Sequence, residues 1–216
     1  MNRQRDCVIL VADSNMAATF QGYFSRDRWH LSLGCGEFEI DTNIDLMVDE
    51  GGNDPGVYAR AHELLRPCQN SHRHALVVLD CEWSGSPGKA GIVAHVTAGL
   101  VRSGWAQDAV KVIAIEPELE NWLWQDNPHV AQALCYQDNR PLRQRLADEG
   151  LWPVDAAKPP RPKETAQWVL KQAREPRSSA IYRQLAERIS IRGCTDAAFA
   201  EMLSTLRNWF PAEGAQ

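Results

Sequence analysis

Three short apolar runs in the chain are separated by longer stretches in which apolar residues recur every three or four positions. The runs cover residues 7–12, 75–79 and 110–115, the last of them interrupted by Lys111, and an acidic residue follows each run. Apolar character over so few residues is typical of strands that are buried on both faces of a parallel sheet. Helical spacing follows each run, so the pattern predicts an α/β fold with a mostly parallel central sheet flanked by helices.

The region between the first two of these strands has a different pattern. Residues 29–40 alternate between apolar and polar around a central Gly-Cys-Gly, which predicts a further strand or a bulged hairpin. Residues 41–55 are acidic and rich in turn-forming residues, and they predict a loop. Residues 57–65 have helical spacing and predict a helix that ends before Pro67.

Beyond residue 139 the hydrophobic pattern is helical. Helices are predicted at 141–150, 164–173, 179–189 and 196–210. A connection with four prolines, residues 152–163, interrupts them. We therefore divide the chain into an α/β domain, residues 1–139, and a helical C-terminal extension, residues 140–216, that packs on it.

Composition and charge narrow the class of protein. The chain has 216 residues, 44% of them hydrophobic, which suits one core with an extension. No apolar stretch is long enough to cross a membrane, and the six cysteines are scattered without a CxxC pair. These features predict a cytoplasmic protein with reduced thiols and no membrane partner. Residues 1–139 hold 10 Lys and Arg against 19 Asp and Glu, whereas residues 140–177 hold 9 against 5, so an acidic half adjoins a basic stretch.

Acidic residues follow the end of each predicted strand. Asp13 comes after the first strand, Asp80 and Glu82 after the central one, and Glu116 after the third. Ligands of open α/β sheets bind outside the carboxyl ends of the strands, so we expect these acids to lie close together. Asp80 and Glu82 are two residues apart and would point to the same face of a strand. Two such carboxylates repel each other unless a proton or a cation neutralises one of them.

A hard divalent cation suits this arrangement, because Mg²⁺ is held by one or two carboxylates together with waters and substrate phosphates. Pro117 is typical of the first turn of a helix, and Glu116 and Glu120 would then share a helical face. The predicted ligands of Mg²⁺ or Mn²⁺ are Asp13, Asp80, Glu82, Glu116 and Glu120. Two simpler interpretations stay open: Asp13 as the N-cap of the following helix, and the other acids as polar residues of a solvated loop or of a helix start.

Several segments of the chain resemble Toprim-like proteins of bacterial defence loci, whose shared domain is a metal-binding α/β fold. More narrowly, they resemble the family that forms the fourth component of the methylation-associated anti-phage defence system. The segments are Val11–Met16, Arg73–Asp80, Pro117–Trp122, Lys158–Glu164, Pro176–Ser179 and Asn208–Pro211. The resemblance extends over nearly the whole chain, and it implies a Toprim-like fold and a role in phage defence beside other subunits of such a system.

The resemblance also implies an activity, which is the hydrolysis of phosphodiester bonds in DNA or RNA by a divalent-metal-dependent nuclease. The catalytic residues that it carries over to this chain are Asp13, Asp80, Glu82 and Glu116. Contacts to nucleic-acid phosphates are expected from three basic residues of the extension, Arg143, Arg161 and Lys163.

The acids of this chain depart from the usual Toprim pattern, which has a glutamate after the first strand and Asp-x-Asp after a later one. Here Asp13 and Asp80-Cys81-Glu82 stand in those places, so the charges are kept and each exchanged carboxylate moves by one methylene. A second interpretation is therefore a non-catalytic defence subunit that binds a partner protein or nucleic acid. A small-molecule phosphohydrolase is a third, and the lack of an Asp-x-Asp-x-Thr motif and of a P-loop argues against its usual forms.

Overall fold

The computed structural model describes residues 4–212, which form four strands and ten α-helices with two short 3₁₀ turns. The strands are β1 (Arg5–Val11), β2 (Leu46–Val48), β3 (His72–Asp80) and β4 (Val110–Ile115). The helices are α1 (Ser14–Phe24), α2 (Trp29–Leu33), α3 (Asp54–Leu64), α4 (Gly88–Ser103), α5 (Glu120–Leu123), α6 (Pro128–Ala133), α7 (Leu142–Asp148), α8 (Pro162–Ala173), α9 (Ser179–Arg188) and α10 (Ala197–Trp209).

The four strands form one sheet in the order β2-β1-β3-β4, and every pairing is parallel. This confirms the predicted α/β class with a parallel central sheet flanked by helices. The apolar runs of β1, β3 and β4 form the centre of the core, since nearly all of their residues are buried. The chain leaves β1 towards β2 on one side and later returns to β3 on the other side. The strand order therefore reverses between β1 and β3, which is the place where open α/β sheets bind ligands.

The predicted strand or hairpin at residues 29–40 is wrong. Its first five residues form α2, and the segment from Gly34 to Ile40 contains no strand. Its aromatic residues pack on one another and on distant helices: the rings of Trp29 and Phe38 are 4.7 Å apart, and Phe38 stacks on Phe210 at 4.0 Å. The alternation in the sequence therefore reflects burial in an aromatic cluster and not the two faces of a strand.

The predicted loop at residues 41–55 is also incorrect in part. It contains β2, and α3 begins within it, where the Asn53 side chain accepts a hydrogen bond from the Gly56 amide at 2.8 Å. The strand is fixed by a contact that sequence spacing does not show, because the fully buried Asp45 pairs with Arg5 on β1. A strand of three residues that depends on such a distant ion pair has too short a pattern to be recognised.

The C-terminal extension is helical, as its pattern predicts. Helix α9 packs along α1, and α10 packs against β4. Asp196, the N-cap of α10, accepts a hydrogen bond from the indole N–H of Trp122 at 2.9 Å. The division at residue 139 stays a prediction, and residues 1–3 and 213–216 of the two predicted regions lie outside the described residues. Within residues 4–212, none of the helices is both long enough and apolar enough to span a membrane.

Candidate functional site: an acidic cluster at the sheet edge

The acids predicted from the sequence follow the carboxyl ends of three neighbouring parallel strands. Asp13 comes two residues after β1, Asp80 is the last residue of β3, and Glu116 directly follows β4. Asp13 and Asp80 flank the position between β1 and β3 where the strand order reverses. The fold therefore places the first two of these acids where an α/β sheet of this order would bind a ligand.

Asp80 is the most perturbed of these acids. Its side chain is 9% exposed, and its Oδ1 atom is buried with no hydrogen-bond partner among residues 4–212. Burial, followed by the negative charges of Asp54, Glu120, Asp13 and Glu118, raises the pKa of Asp80 well above its usual value of 3.8. A carboxyl group in such surroundings is stable only when a proton or a cation neutralises it.

Asp54 is a member of this cluster that the sequence analysis missed. It is the first residue of α3, and its Oδ1 accepts a hydrogen bond from the backbone amide of Asp80 at 2.7 Å. Burial raises the pKa of Asp54, and the negative charge of Asp13 raises it further. The hydrogen bond from the Asp80 amide lowers it, but by less. The local signal, Asn53-Asp54-Pro55, indicates only a helix start, because the contact with Asp80 joins residues that are 26 positions apart.

Asp13 has the structural role that the sequence left open. Its Oδ1 accepts hydrogen bonds from the amides of Asn15 and Met16, both at 2.9 Å, and so caps the N-terminus of α1. Both hydrogen bonds are accepted by the same oxygen of Asp13. The negative charge of the Asp13 carboxylate also contributes to the raised pKa of Asp80. Capping therefore holds Asp13 at the edge of the acidic cluster.

Glu120 is buried and already paired with a cation. Its Oε1 lies 3.2 Å from Nη2 of Arg177, and the hydroxyl of Tyr182 donates a hydrogen bond to the same oxygen. Arg177 and Tyr182 both belong to the C-terminal extension. The extension thus supplies one positive charge to the acidic cluster.

Glu82 and Glu116 line an open crevice beside the sheet edge, and the lining of this crevice does not include Asp13, Asp54 or Asp80. Strand β3 ends at Asp80, so Glu82 lies beyond the strand and the alternation that would place both side chains on one face does not apply. Asp80 is buried, whereas Glu82 is exposed. Glu118, Arg161 and Lys163 line the same crevice. Burial, and next the charge of Glu120, raises the pKa of Glu118, while the Lys163 amide donates to its carboxylate at 2.7 Å.

The predicted helix start at Pro117 is wrong. The chain bends at Glu116 and Pro117 after β4, and the amide of Cys81 donates to the carbonyls of Ile115 at 2.8 Å and of Pro117 at 3.3 Å. Helix α5 begins only at Glu120. Glu116 therefore precedes the helix and shares no helical face with Glu120.

No family model matches the sequence, and comparisons with curated proteins and with solved structures find no similar chain. The assignment of a function to this chain therefore depends on its own geometry and on the resemblance of its segments.

Two of the three basic residues expected to contact phosphates lie near the acids, and one does not. Arg161 and Lys163 line the crevice, where the Arg161 side chain is 75% exposed and forms an ion pair with Glu164 at 3.1 Å. Arg143 instead donates to the backbone carbonyls of Trp152, Pro153, Val154 and Ala156 and stacks on the Trp152 ring. Its guanidinium therefore holds the connection between α7 and α8.

The acidic cluster offers carboxylate oxygens, which are the ligands that a hard divalent cation prefers. Asp80 offers a buried oxygen without a hydrogen bond, and the carboxylates of Asp13 and Asp54 are near enough to perturb its pKa. Residues 4–212 hold no group of three or more His, Cys, Asp or Glu side chains arranged to enclose a metal ion. Magnesium does not require such a group, because it is usually bound by one or two carboxylates, with water and substrate oxygens as the remaining ligands.

Proposed function

We propose that this chain is a cytoplasmic, Toprim-like subunit of a bacterial anti-phage defence system that cleaves phosphodiester bonds of nucleic acid with Mg²⁺ or Mn²⁺. The observation that carries the proposal is the buried carboxylate of Asp80, which has an unpartnered oxygen, a raised pKa and acidic neighbours at the point where the strand order reverses. A buried charge without a partner costs free energy, and such a cost is typical of functional sites.

The residues of the site have distinct roles in this proposal. Asp80, with Asp13 and Asp54 beside it, would hold the cation, and the bound cation would neutralise phosphate charge and ionise an attacking water. Glu82, Glu116 and Glu118 line the crevice through which water and substrate reach this edge. Arg161 and Lys163 provide the positive charges that would orient the phosphate backbone along it.

A non-catalytic defence subunit is the second candidate, and two observations favour it. Residues 4–212 hold no enclosed group of three metal ligands, and Arg177 already neutralises Glu120. In this interpretation the acids remain from a former catalytic site and the fold is retained. The chain then binds a partner protein or nucleic acid through another surface.

The substitution Asp80→Asn tests the proposal, because it keeps the size of the side chain and removes its charge. Asp155→Asn, at an exposed aspartate of the connection between α7 and α8, is the matched control. The measurements are the shift of Tm on adding Mg²⁺ or Mn²⁺, the cleavage of labelled DNA and RNA, and plaque formation in cells that carry the complete defence system.

We expect Asp80→Asn to lose the Tm shift, the cleavage and the protection together, and Asp155→Asn to keep all three. Normal protection by Asp80→Asn at wild-type protein levels would contradict catalysis and favour the binding subunit. Circular dichroism of each purified variant verifies that a loss of function does not come from unfolding.

A further inference from the structure

The outer side of β2 is an open strand edge. β2 is the last strand of the sheet and, within residues 4–212, pairs only with β1. The carbonyl of Asp45 and the amide of Asp49 bond to β1 at 2.7 and 3.1 Å. Because alternate residues of a strand direct their backbone groups to the same side, Leu46 and Val48 direct theirs away from β1. No loop or turn backbone among residues 4–212 bonds to these outward groups.

The same edge presents an apolar stripe. Ile44 is 56% exposed and Val48 is 41% exposed, and Leu46 between them is partly buried. Leu46 and Val48 occupy alternate positions of β2 and so share one face, and Ile44 lies in the turn that immediately precedes the strand. Proteins often protect an exposed strand edge with lysine or proline, or by keeping the strand short. Residues 44–48 contain no lysine or proline, and β2 is three residues long.

Two buried aspartates fix this edge in place. Asp45 precedes β2 and is held by Arg5 and by His72, whose Nε2 lies 3.1 Å from its carboxylate. Asp49 follows β2 and pairs with Arg60 at 2.6 Å. An edge anchored at both ends is already in the conformation that another strand would bind, so pairing costs little further ordering.

The surroundings of the edge are acidic. Residues 29–59 contain seven Asp and Glu and no Lys or Arg. Arg5 pairs with Asp45 and Glu39, and Arg60 pairs with Asp49. Glu37 and Glu50 are exposed, and they precede and follow the edge in the sequence. Such a surface attracts a basic partner and repels a second copy of the same acidic edge.

We propose that residues 44–48 bind an extended basic segment of a partner protein, which joins the sheet as an additional strand beside β2. Hydrogen bonds to the backbone of Leu46 and Val48 would give affinity, and apolar side chains of the segment would cover Ile44 and Val48. Lysine or arginine side chains of the segment would face Glu50 and its acidic neighbours. This surface does not include Asp80, so the proposal applies whether or not the chain is an enzyme.

A synthetic peptide of alternating valine and lysine, labelled with a fluorophore, serves as the probe. Its binding to the full chain is measured by fluorescence anisotropy at low and high salt. Two further peptides separate the contributions: one with glutamate in place of lysine, and one with N-methylated amides that keeps the charges but has no backbone donors. The protein variants are Val48→Lys at the edge and Val101→Lys, a control at an exposed valine of α4.

We expect the valine–lysine peptide to bind the wild type and the Val101→Lys control, and to bind Val48→Lys at least about tenfold more weakly. The glutamate and N-methylated peptides should not bind, and high salt should weaken the complex. Equal binding of the N-methylated peptide, or equal binding to Val48→Lys, would show that no strand is added and would overturn the proposal.

Failure of the valine–lysine peptide to bind the wild type would also overturn it. So would a dimer in sedimentation experiments that Val48→Lys dissociates, because a second copy would then occupy the edge. Ile44→Lys lies outside the ladder with β1 and replaces Val48→Lys if that variant does not fold by circular dichroism.

Discussion

Asp45 and Asp80 are both buried aspartates beside the central sheet, and their surroundings have opposite effects. Burial alone would raise the pKa of Asp45, but hydrogen bonds from Arg5, the Asp41 amide and His72 outweigh it, so that the pKa is lowered. Burial also raises the pKa of Asp80, and its acidic neighbours raise it further. Asp45 is therefore charged and paired, whereas Asp80 needs a proton or a cation that the described side chains do not supply.

This difference indicates which of the two aspartates is expected to belong to a functional site. At Asp45 the charge of Arg5 and the hydrogen bonds from the Asp41 amide and His72 favour the folded protein, as expected for a residue that joins β1, β2 and β3. At Asp80 the neighbours oppose folding, and such an arrangement persists in proteins chiefly where a ligand compensates for it. Three substitutions and one pH series test whether the two aspartates differ in this way.

The largest effect is expected for Asp45→Ala. This substitution removes a fully buried carboxylate that accepts hydrogen bonds from Arg5, the Asp41 amide and His72. Hydrogen bonds to a charged group typically contribute about 1.5–3 kcal/mol each, so we expect a loss of at least about 3 kcal/mol. Unfolding in urea measures the change in the free energy of unfolding. Glu37→Ala, at an exposed acid of the same region, is the control and should change it by less than about 0.5 kcal/mol. A loss below about 1 kcal/mol at Asp45 would contradict its structural role.

Asp80→Asn should have the opposite sign. Without divalent cations, the amide carries no charge that must be buried beside Asp54, so the free energy of unfolding at neutral pH should rise, on the order of 1 kcal/mol. The same urea experiment measures it. A destabilisation as large as that of Asp45→Ala would mean that the two aspartates do not differ in the way described.

The two aspartates also predict opposite dependences of stability on pH. The folded pKa of Asp45 is lowered, so its contribution is full above the usual value of 3.8 and is lost as the pH falls through the folded pKa. The folded pKa of Asp80 is raised, so its contribution is full below 3.8 and is lost as the pH rises towards the folded pKa.

Urea unfolding of the wild type and of the two variants, from about pH 3 to about pH 8 without divalent cations, separates these effects. Asp45→Ala should reduce the loss of stability at acid pH. Asp80→Asn should reduce the decline on raising the pH above 3.8, and the raised pKa of Asp54 should leave part of that decline in place. Parallel pH profiles of Asp80→Asn and the wild type would contradict the raised pKa.

The smallest effect is expected for Tyr182→Phe. The variant removes the hydrogen bond that Tyr182 donates to Glu120 and the one that it accepts from Arg177. The ion pair of Glu120 with Arg177 remains, so the loss of stability should be about 1 kcal/mol. The Tm shift caused by Mg²⁺ should be unchanged, because Arg177 still neutralises Glu120. A Tm shift reduced as much as in Asp80→Asn would place Glu120 among the cation ligands.

The sequence predicted those parts of the fold whose pattern is local. The apolar runs of β1, β3 and β4 are long enough to indicate buried strands, and the strand ends located Asp13 and Asp80. The failures depend on contacts between distant residues: Phe38 alternates because it stacks on Phe210, and β2 exists because Asp45 pairs with Arg5. The local spacing of apolar and polar residues does not predict contacts between residues that are far apart in the sequence.

The candidate site was predicted in part for the same reason. Alternation along a strand suggested that Asp80 and Glu82 would share a crevice, but the strand ends at Asp80 and the two acids separate. Asp54 belongs to residues 41–55, whose sequence predicted a loop. Its place in the acidic cluster depends on the hydrogen bond that its carboxylate accepts from the Asp80 amide. The neutralisation of Glu120 by Arg177 joins the two halves of the chain and has no local signature.

The contacts of Trp122 with Asp196 and of Glu120 with Arg177 have a practical consequence for anyone who wishes to shorten this chain. A fragment cut at residue 139 would remove both partners and would expose to water the side of α1 that α9 covers. Each lost polar contact typically costs about 1–3 kcal/mol, against a total stability of about 5–15 kcal/mol for a domain. Cloning boundaries, tags and deletion series should therefore leave the helical extension on the same polypeptide.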